Sequence, residues 1–250
     1  TYPNLKKMIY VVDKRQSLHF EQVFRAVSRA GYVPGIALHH VGNGTVNGSD
    51  GKPFKTREGK AMTFREMVMT VIKKAESRLD EANLAADISD KERQDIARKV
   101  GVAALKFTEL SNQTHTDYIF DIDKMTAFEG KTGPYLLYQA VRIQSLLSKA
   151  SSVDYKSSDF VFEEEDRNLA LILTQFPQIF EISLQNYAPH YLCDYAYQIA
   201  QSFSSFYANC HILSESDEAI QKSRLRLSKM TFQLLSHVLE LLGISIPKKM

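Results

Sequence analysis

The chain has 250 residues, of which 44% are hydrophobic and 24% charged, with a net charge of +2. Those proportions are those of a soluble globular protein and exclude a disordered chain; no apolar run approaches the roughly 18 residues that a membrane-spanning helix needs, and no signal-peptide pattern opens the sequence. Two cysteines, Cys193 and Cys210, lie without metal-ligand spacing and are too few for a disulfide framework, so the cytoplasm is the expected compartment.

The small net charge hides an asymmetry. Residues 1–85 carry 14 Lys/Arg against 8 Asp/Glu, whereas residues 86–250 carry 17 against 21. A basic first third favours phosphate-bearing ligands, although such an excess is compatible with other partners.

Met8 to Val12 (MIYVV) is a short continuous apolar run, the pattern of a strand buried on both faces. A helix follows over His19–Ala30, with Phe20, Val23, Phe24 and Val27 on one stripe and Gly31 at its end. Ile36 to Val41 reads as a second strand. Strand, helix, strand at this spacing predicts a parallel pair joined by a right-handed crossover. No GxGxxG is present. In such sheets ligands sit beyond the carboxyl ends of the strands, which here deliver Asp13–His19 (DKRQSLH) and Val41–Gly44 to one rim. The loop GKPFKTREG comes next, from Gly51 to Gly59, with Lys52, Lys55, Arg57 and Lys60 on and beside it. Glycine at its ends and Pro53 within it make a shaped turn. Its cations suit a polyphosphate whose charge moves during reaction, and a solvated surface loop is the alternative reading.

Helices are predicted over Thr63–Glu81 and Asp90–Phe107, the latter burying Ile96, Val100, Ala103, Ala104 and Phe107. Leu110 to Phe128 reads as irregular around the alternating segment TDYIFDID. From Gly133 the chain reads as helix throughout: 133–150, 164–175, 178–187, 190–209 and 218–242, punctuated by Pro177, Pro189 and Gly243. The acidic run Glu163–Asp166 fits the first turn of one of these, facing the positive end of the helix dipole. The cysteines read as small, partly buried thiols. A mainly α chain results, with an α/β piece first and a helical bundle after it.

Five segments carry a resemblance to a known family: IYVVDKRQSLHFEQVF, GTVNGSDGKPFKTREG, ALKFTELSNQTHTDYIFDIDKMTAFEGKTGPYLLYQAVRI, YAYQIAQSFSSFYANCHIL and RLRLSKMTFQLLSHVLELLGI. In this order they resemble the C-terminal part of the arginyl-tRNA synthetases, class I aminoacyl-tRNA ligases. The resemblance implies a partial Rossmann-like segment ending the catalytic domain over residues 1–85, a helical connection over 86–130 and an all-α anticodon-binding bundle over 131–250. It also implies ATP-dependent ligation of arginine to its cognate tRNA through an arginyl-adenylate, with Mg2+ accompanying ATP and no metal ligands in this chain.

Residue by residue, PFKTR is similar to a degenerate K-M-S-K-S signature, with Lys55 in the place of the second lysine and Lys52 as a helper on the phosphates. DKRQSLH is similar to the family's D-x-x-Q-x-x-H element, in which Gln16 would bind substrate arginine and His19 would line the nucleotide pocket or cap the helix. His39 and His40, at the next strand end, are candidates for adenine contact or are structural. In the bundle, Tyr135, Tyr138, Arg142, Tyr207, Asn209 and Met250 are candidates for contact with the anticodon loop, since splayed RNA bases stack on aromatic rings; each tyrosine could equally be core. The H-I-G-H half of a class I catalytic domain is missing from the sequence, and the chain opens almost at once on a buried strand. The expectation is therefore a polypeptide inert by itself, cut from a larger ligase, or else a non-catalytic RNA-binding module derived from one.

Overall fold

A computed structural model describes residues 4–48, 50–52, 63–84, 88–155 and 159–250. The chain forms two compact units, one from Thr1–Met62 with Asn112–Asp121, the other from Thr63–Ser111 with Ile122–Met250.

In the first unit, β1 (Lys7–Asp13) and β2 (Ala37–Asn43) pair in parallel, with Lys7 opposite Ala37 and Asp13 opposite Asn43. Both strands therefore deliver their carboxyl ends to one place, as the crossover pattern predicts. Between them runs α1 (Ser17–Arg29), which lays Phe20 and Phe24 against Tyr10, with ring centroids 5.4 and 5.3 Å apart. Gly31, just past the helix, has φ +72°, the left-handed conformation that ends helices and suits glycine. The region read as irregular contributes one strand of a second, minimal pairing: β3 (Val46–Asn47), outside it, lies parallel to β4 (Tyr118–Ile119), within it. Two residues per strand are too few for an alternating pattern to announce the pairing.

The second unit is helical. Its elements are α2 (Phe64–Glu81), α3 (Asp90–Ser111), α4 (Ile122–Met125), α5 (Gly133–Lys149), α6 (Glu164–Leu173), α7 (Phe176–Asn186), α8 (His190–Asn209) and α9 (Glu218–Leu241). Thr63 opens α2 with a reciprocal cap: its hydroxyl accepts from the Glu66 N–H at 3.2 Å, and the Glu66 carboxylate accepts from the Thr63 N–H at 2.8 Å. Thr132 caps α5, with Pro134 in the first turn, where a missing N–H costs nothing. The buried stripe of α3 (Ile96, Val100, Ala103, Phe107) meets those of α5 and of α8 (Leu192, Ala196, Ile199, Phe203, Phe206) in one core, and Ala104, next to Ala103 in the sequence, is also buried. That core also encloses Cys193, whose thiol burial pushes up to about 12, and Cys210 is half-buried; neither forms a disulfide. Among the described residues no helix is long and apolar enough to cross a membrane.

The acidic run caps α6 as its composition predicts, Glu163 and Asp166 making the reciprocal cap. Sequence reading did not foresee its partner. Arg224 of α9 donates to Asp166, to Glu215 and to Glu163, with its side chain only 4% exposed. One guanidinium thus joins α9, the α6 cap and the 210–217 connection.

Candidate functional site

In the first unit the rim beyond β1 and β2 is built from the DKRQSLH stretch. Asp13 accepts from the Arg15 backbone N–H at 2.8 Å and from its guanidinium at 2.5 and 3.0 Å, closing a single 3-10 turn over Lys14–Gln16. Those hydrogen bonds to the charged form, the side-chain ones foremost, hold the Asp13 carboxyl down at about 2. Lys14 Nζ donates to Asp117 Oδ1 at 2.9 Å and to the His115 carbonyl at 3.0 Å, while Asp117 accepts from the Thr45 N–H at 2.8 Å. The first three side chains of the motif are spent on shaping the turn. Gln16 and His19 stand exposed on it.

The two strand histidines part company. Successive residues of a strand face opposite sides, so His39 and His40 cannot line one pocket wall together. His40 lies under α1, its ring stacked on Phe20 at 4.7 Å and 17°, with Nε2 3.0 Å from the Val12 carbonyl. It is a packed side chain whose hydrogen bond stays within the sheet. His39, half-buried, is paired with Ile9, which is exposed, on the other face. Lys52 is exposed after the left-handed Gly51 (φ +72°), its N–H donating to Asp50 at 3.1 Å. Lys55 lies outside the described residues.

In the second unit a groove of about 480 Å³ opens between the C-terminal half of α5, the last turn of α8 and the chain's end. Tyr138, Arg142, Ser145 and Lys149 form its α5 wall; steps of four, three and four put them on one helical stripe. Tyr207 comes from α8, and Lys248, Lys249 and Met250 close the far side. The Arg142 guanidinium sits 4.1 Å from the centroid of the Tyr207 ring, a cation-π arrangement that holds both planes in place. Four basic side chains and no Asp or Glu side chain line the groove among the described residues, so an anion carrying flat rings is the ligand it fits best. Lys149, Lys248 and Lys249 were not singled out from the sequence. Extending the Tyr138–Arg142 stripe by seven would have found Lys149.

Of the six bundle residues picked from the sequence, the groove gathers Tyr138, Arg142, Tyr207 and Met250. Tyr135 faces the other way: its ring meets Tyr197 edge-on at 5.7 Å, its hydroxyl bonds to Ser204 and Gln139, and burial raises its pKa. Asn209 donates to Glu165 at 3.3 Å and to Ser205 at 3.4 Å, and does not line the groove.

Two family models divide the chain along the same line as its chemistry. The model of the class I tRNA synthetase (R) catalytic domain matches residues 2–122, and that of the DALR anticodon binding domain matches residues 136–250. An arginine–tRNA ligase from Hyphomonas neptunium is 47% identical over 246 residues, covering 98% of this chain. The chain belongs to the arginyl-tRNA synthetase family. It spans about 42% of the length of that relative. Among solved arginyl-tRNA synthetases, the Plasmodium falciparum structure matches with a TM-score of 0.83 over all of this chain and 42% of its own. The Thermus thermophilus structure matches with 0.82 over 98% of this chain and 41% of its own, and each is 27% identical. The short α/β segment followed by a helical anticodon-binding bundle is thus the synthetase architecture.

Proposed function

We propose that the protein to which this chain contributes ligates arginine to its cognate tRNA, and that the α5–α8 groove takes the anticodon loop. The observation that carries the reading is the groove itself: an aromatic ring held under a guanidinium, a second tyrosine 37% exposed, and three lysines nearby with no Asp or Glu among them. Unstacked bases can lie on such rings while the lysines meet phosphates.

In the reaction, the arginine carboxylate attacks the α-phosphorus of ATP and pyrophosphate leaves. A ribose hydroxyl at the tRNA end then attacks the carbonyl carbon of the adenylate and AMP leaves. In this reading Gln16, exposed on a turn fixed by Asp13 and Lys14, offers its amide to substrate arginine, and His19 borders the nucleotide. Lys55 and Lys52 meet the pyrophosphate, where charge develops most in the transition state. His40 packs on Phe20 and the Val12 carbonyl, and His39, on the opposite face of β2, is the other strand histidine offered to adenine. Mg2+, where it accompanies ATP, would sit on the nucleotide's phosphates. Residues 1–85 serve the catalytic domain, 86–130 connect, and 131–250 read the anticodon, in the cytoplasm where charged tRNA is used.

The test is binding of this chain to arginine-accepting tRNA and to an anticodon-swapped version at one stated salt concentration. Tighter binding to the cognate anticodon, lost in Arg142→Ala, supports the reading. Equal binding of both by the unmodified chain overturns it.

A further inference from the structure

A second concavity, of about 710 Å³, lies on a different side of the helical unit and shares no residue with the groove above. One wall is the α9 stripe Leu227, Met230 and Leu234. Facing it, α6 contributes Arg167, Leu171 and Thr174, and the start of α7 contributes Phe176. The remaining wall is a ladder of two rings, Phe160 and Phe162, stacked at 5.3 Å and 11° on an extended segment. Residues i and i+2 of such a segment face one way, and the intervening Val161 is anchored through both its N–H and its carbonyl to the Ser223 hydroxyl, each at 2.9 Å. Arg226 covers Phe160 at 4.3 Å. The walls are therefore built in advance of any occupant.

Leaving this surface to water is costly. Phe162, Leu171 and Met230 are 48, 51 and 44% exposed, and each square ångström of apolar surface left wet forgoes about 25 cal/mol. The chemistry of the lining narrows what covers it. Among the described lining residues the two with polar side chains are Thr174, whose hydroxyl is satisfied by the Leu171 carbonyl at 2.8 Å, and Arg167. Arg167 is exposed, with no ion pair or side-chain hydrogen bond among the described residues. Of the acids nearest in sequence, Glu163 and Asp166 bind Arg224 and Glu165 accepts from Asn209; Glu164, exposed one helical turn before Arg167, makes no ion pair with it. Size decides between a protein and a small molecule. Twelve residues line the cavity, against about 20–30 a side in a standard protein interface, while its volume falls within the roughly 300–1,000 Å³ of small-ligand pockets.

We propose that this pocket binds a single-chain amphipathic carboxylate of the fatty-acid class, its hydrocarbon laid between α9 and the Phe160–Phe162 ladder and its carboxylate on Arg167. An apolar trough with one unpaired cation at its edge is complementary to a ligand with one anionic end and no other polar group.

The experiment is calorimetric titration of the full chain with dodecanoate below its micelle concentration, beside the uncharged methyl dodecanoate. Saturable one-to-one binding of dodecanoate is expected, tighter than the ester by about three- to ten-fold, the contribution of one partly solvated charge-assisted hydrogen bond. Arg167→Gln should remove that difference and leave ester binding within about two-fold, since only the head group is touched. Met230→Glu, at an exposed position that leaves the fold intact, should abolish binding of both. Absence of saturation, equal affinity for acid and ester in the unmodified chain, or indifference to Met230→Glu overturns the proposal. So does saturation by an acidic amphipathic helical peptide alone, which would make the site a protein-docking surface.

Discussion

Arg224 and Asp166, 58 residues apart in the chain, meet where neither reaches water: Nε lies 3.3 Å from Oδ1, with side chains 4 and 0% exposed. Asp166 also accepts from the Glu163 N–H at 3.0 Å, so the pair ties the start of α6 to the body of α9. Removing Arg224 leaves Asp166 buried with no cation opposite it, and leaves Glu163 and Glu215 without theirs. Arg224→Ala should cost about 3–5 kcal/mol of stability, read as a lowered urea midpoint of the helical unit. Arg224→Lys keeps the charge but loses the fork that serves three carboxylates, and should fall between. A loss below about 1 kcal/mol for the alanine variant would mean that water reaches the site.

The turn at the end of β1 has its own acid dependence. The Asp13 carboxyl, held at about 2 by the Arg15 side chain and N–H, is ordinarily near 3.8. A folded value below the unfolded one means that the interaction supports the turn in full above about pH 4 and is lost as pH falls through 2. Carboxyl NMR should show Asp13 titrating near the lower value, and Arg15→Ala should move it back toward the ordinary one. Because Arg15 is solvent-exposed, molar salt should do part of the same.

What could be read from the sequence was whatever has a period or a terminus. Ile96, Val100, Ala103 and Phe107 repeat at helical spacing, and all four are buried. The MIYVV run gave β1, but not the burial on both faces read from it, since Ile9 and Val11 are 47 and 67% exposed on one face; the Glu163–Asp166 run gave a cap. Arg224 was illegible because an arginine on a long helix is nearly always at the surface, and only three acids from two other segments make its burial tolerable. The Lys14–Asp117 pair was illegible for another reason: the partners are 103 residues apart, and β4 is two residues long. Four of the six residues picked as RNA contacts do share a groove. Tyr135 and Tyr138 look alike in sequence, three residues apart on one helix, yet one turns to the core and the other to solvent, a difference set by which neighbours α8 supplies.

Two glycines hold helices closer than any side chain would allow. A Cβ at Gly133 would fall on the Ala103 carbonyl group, and one at Gly101 would sit 2.8 Å from the Ile72 Cα. Neither obstacle is a side chain that can rotate away. Gly133→Ala should therefore force α5 off α3, at about 1–3 kcal/mol or more, seen as a lower melting temperature. Gly130→Ala is the contrast: nothing lies within 4 Å of its Cβ, and only its φ of +71° is strained. That variant should lose about 1 kcal/mol.

Tyr207 and Tyr135 separate reading RNA from holding the bundle. The Tyr207 ring is half-buried, with Arg142 on one face at 4.1 Å and Phe203 6.0 Å away. Truncating it strips a half-buried platform and frees Arg142 to wander, while the fully buried α5–α8 core beneath keeps its packing. Tyr207→Ala should weaken cognate tRNA binding by about 1–3 kcal/mol, the worth of one stacked base, and shift the melting temperature little. Tyr135 lies against Tyr197, with its hydroxyl bonded to Ser204 and Gln139. Tyr135→Ala should open a cavity at that contact and cost about 3–5 kcal/mol of stability, with RNA affinity of the still-folded fraction nearly unchanged. The reverse pattern, a stable Tyr135→Ala that has lost RNA and an unstable Tyr207→Ala that retains it, would move the reading surface from the groove to the Tyr135 side of α5.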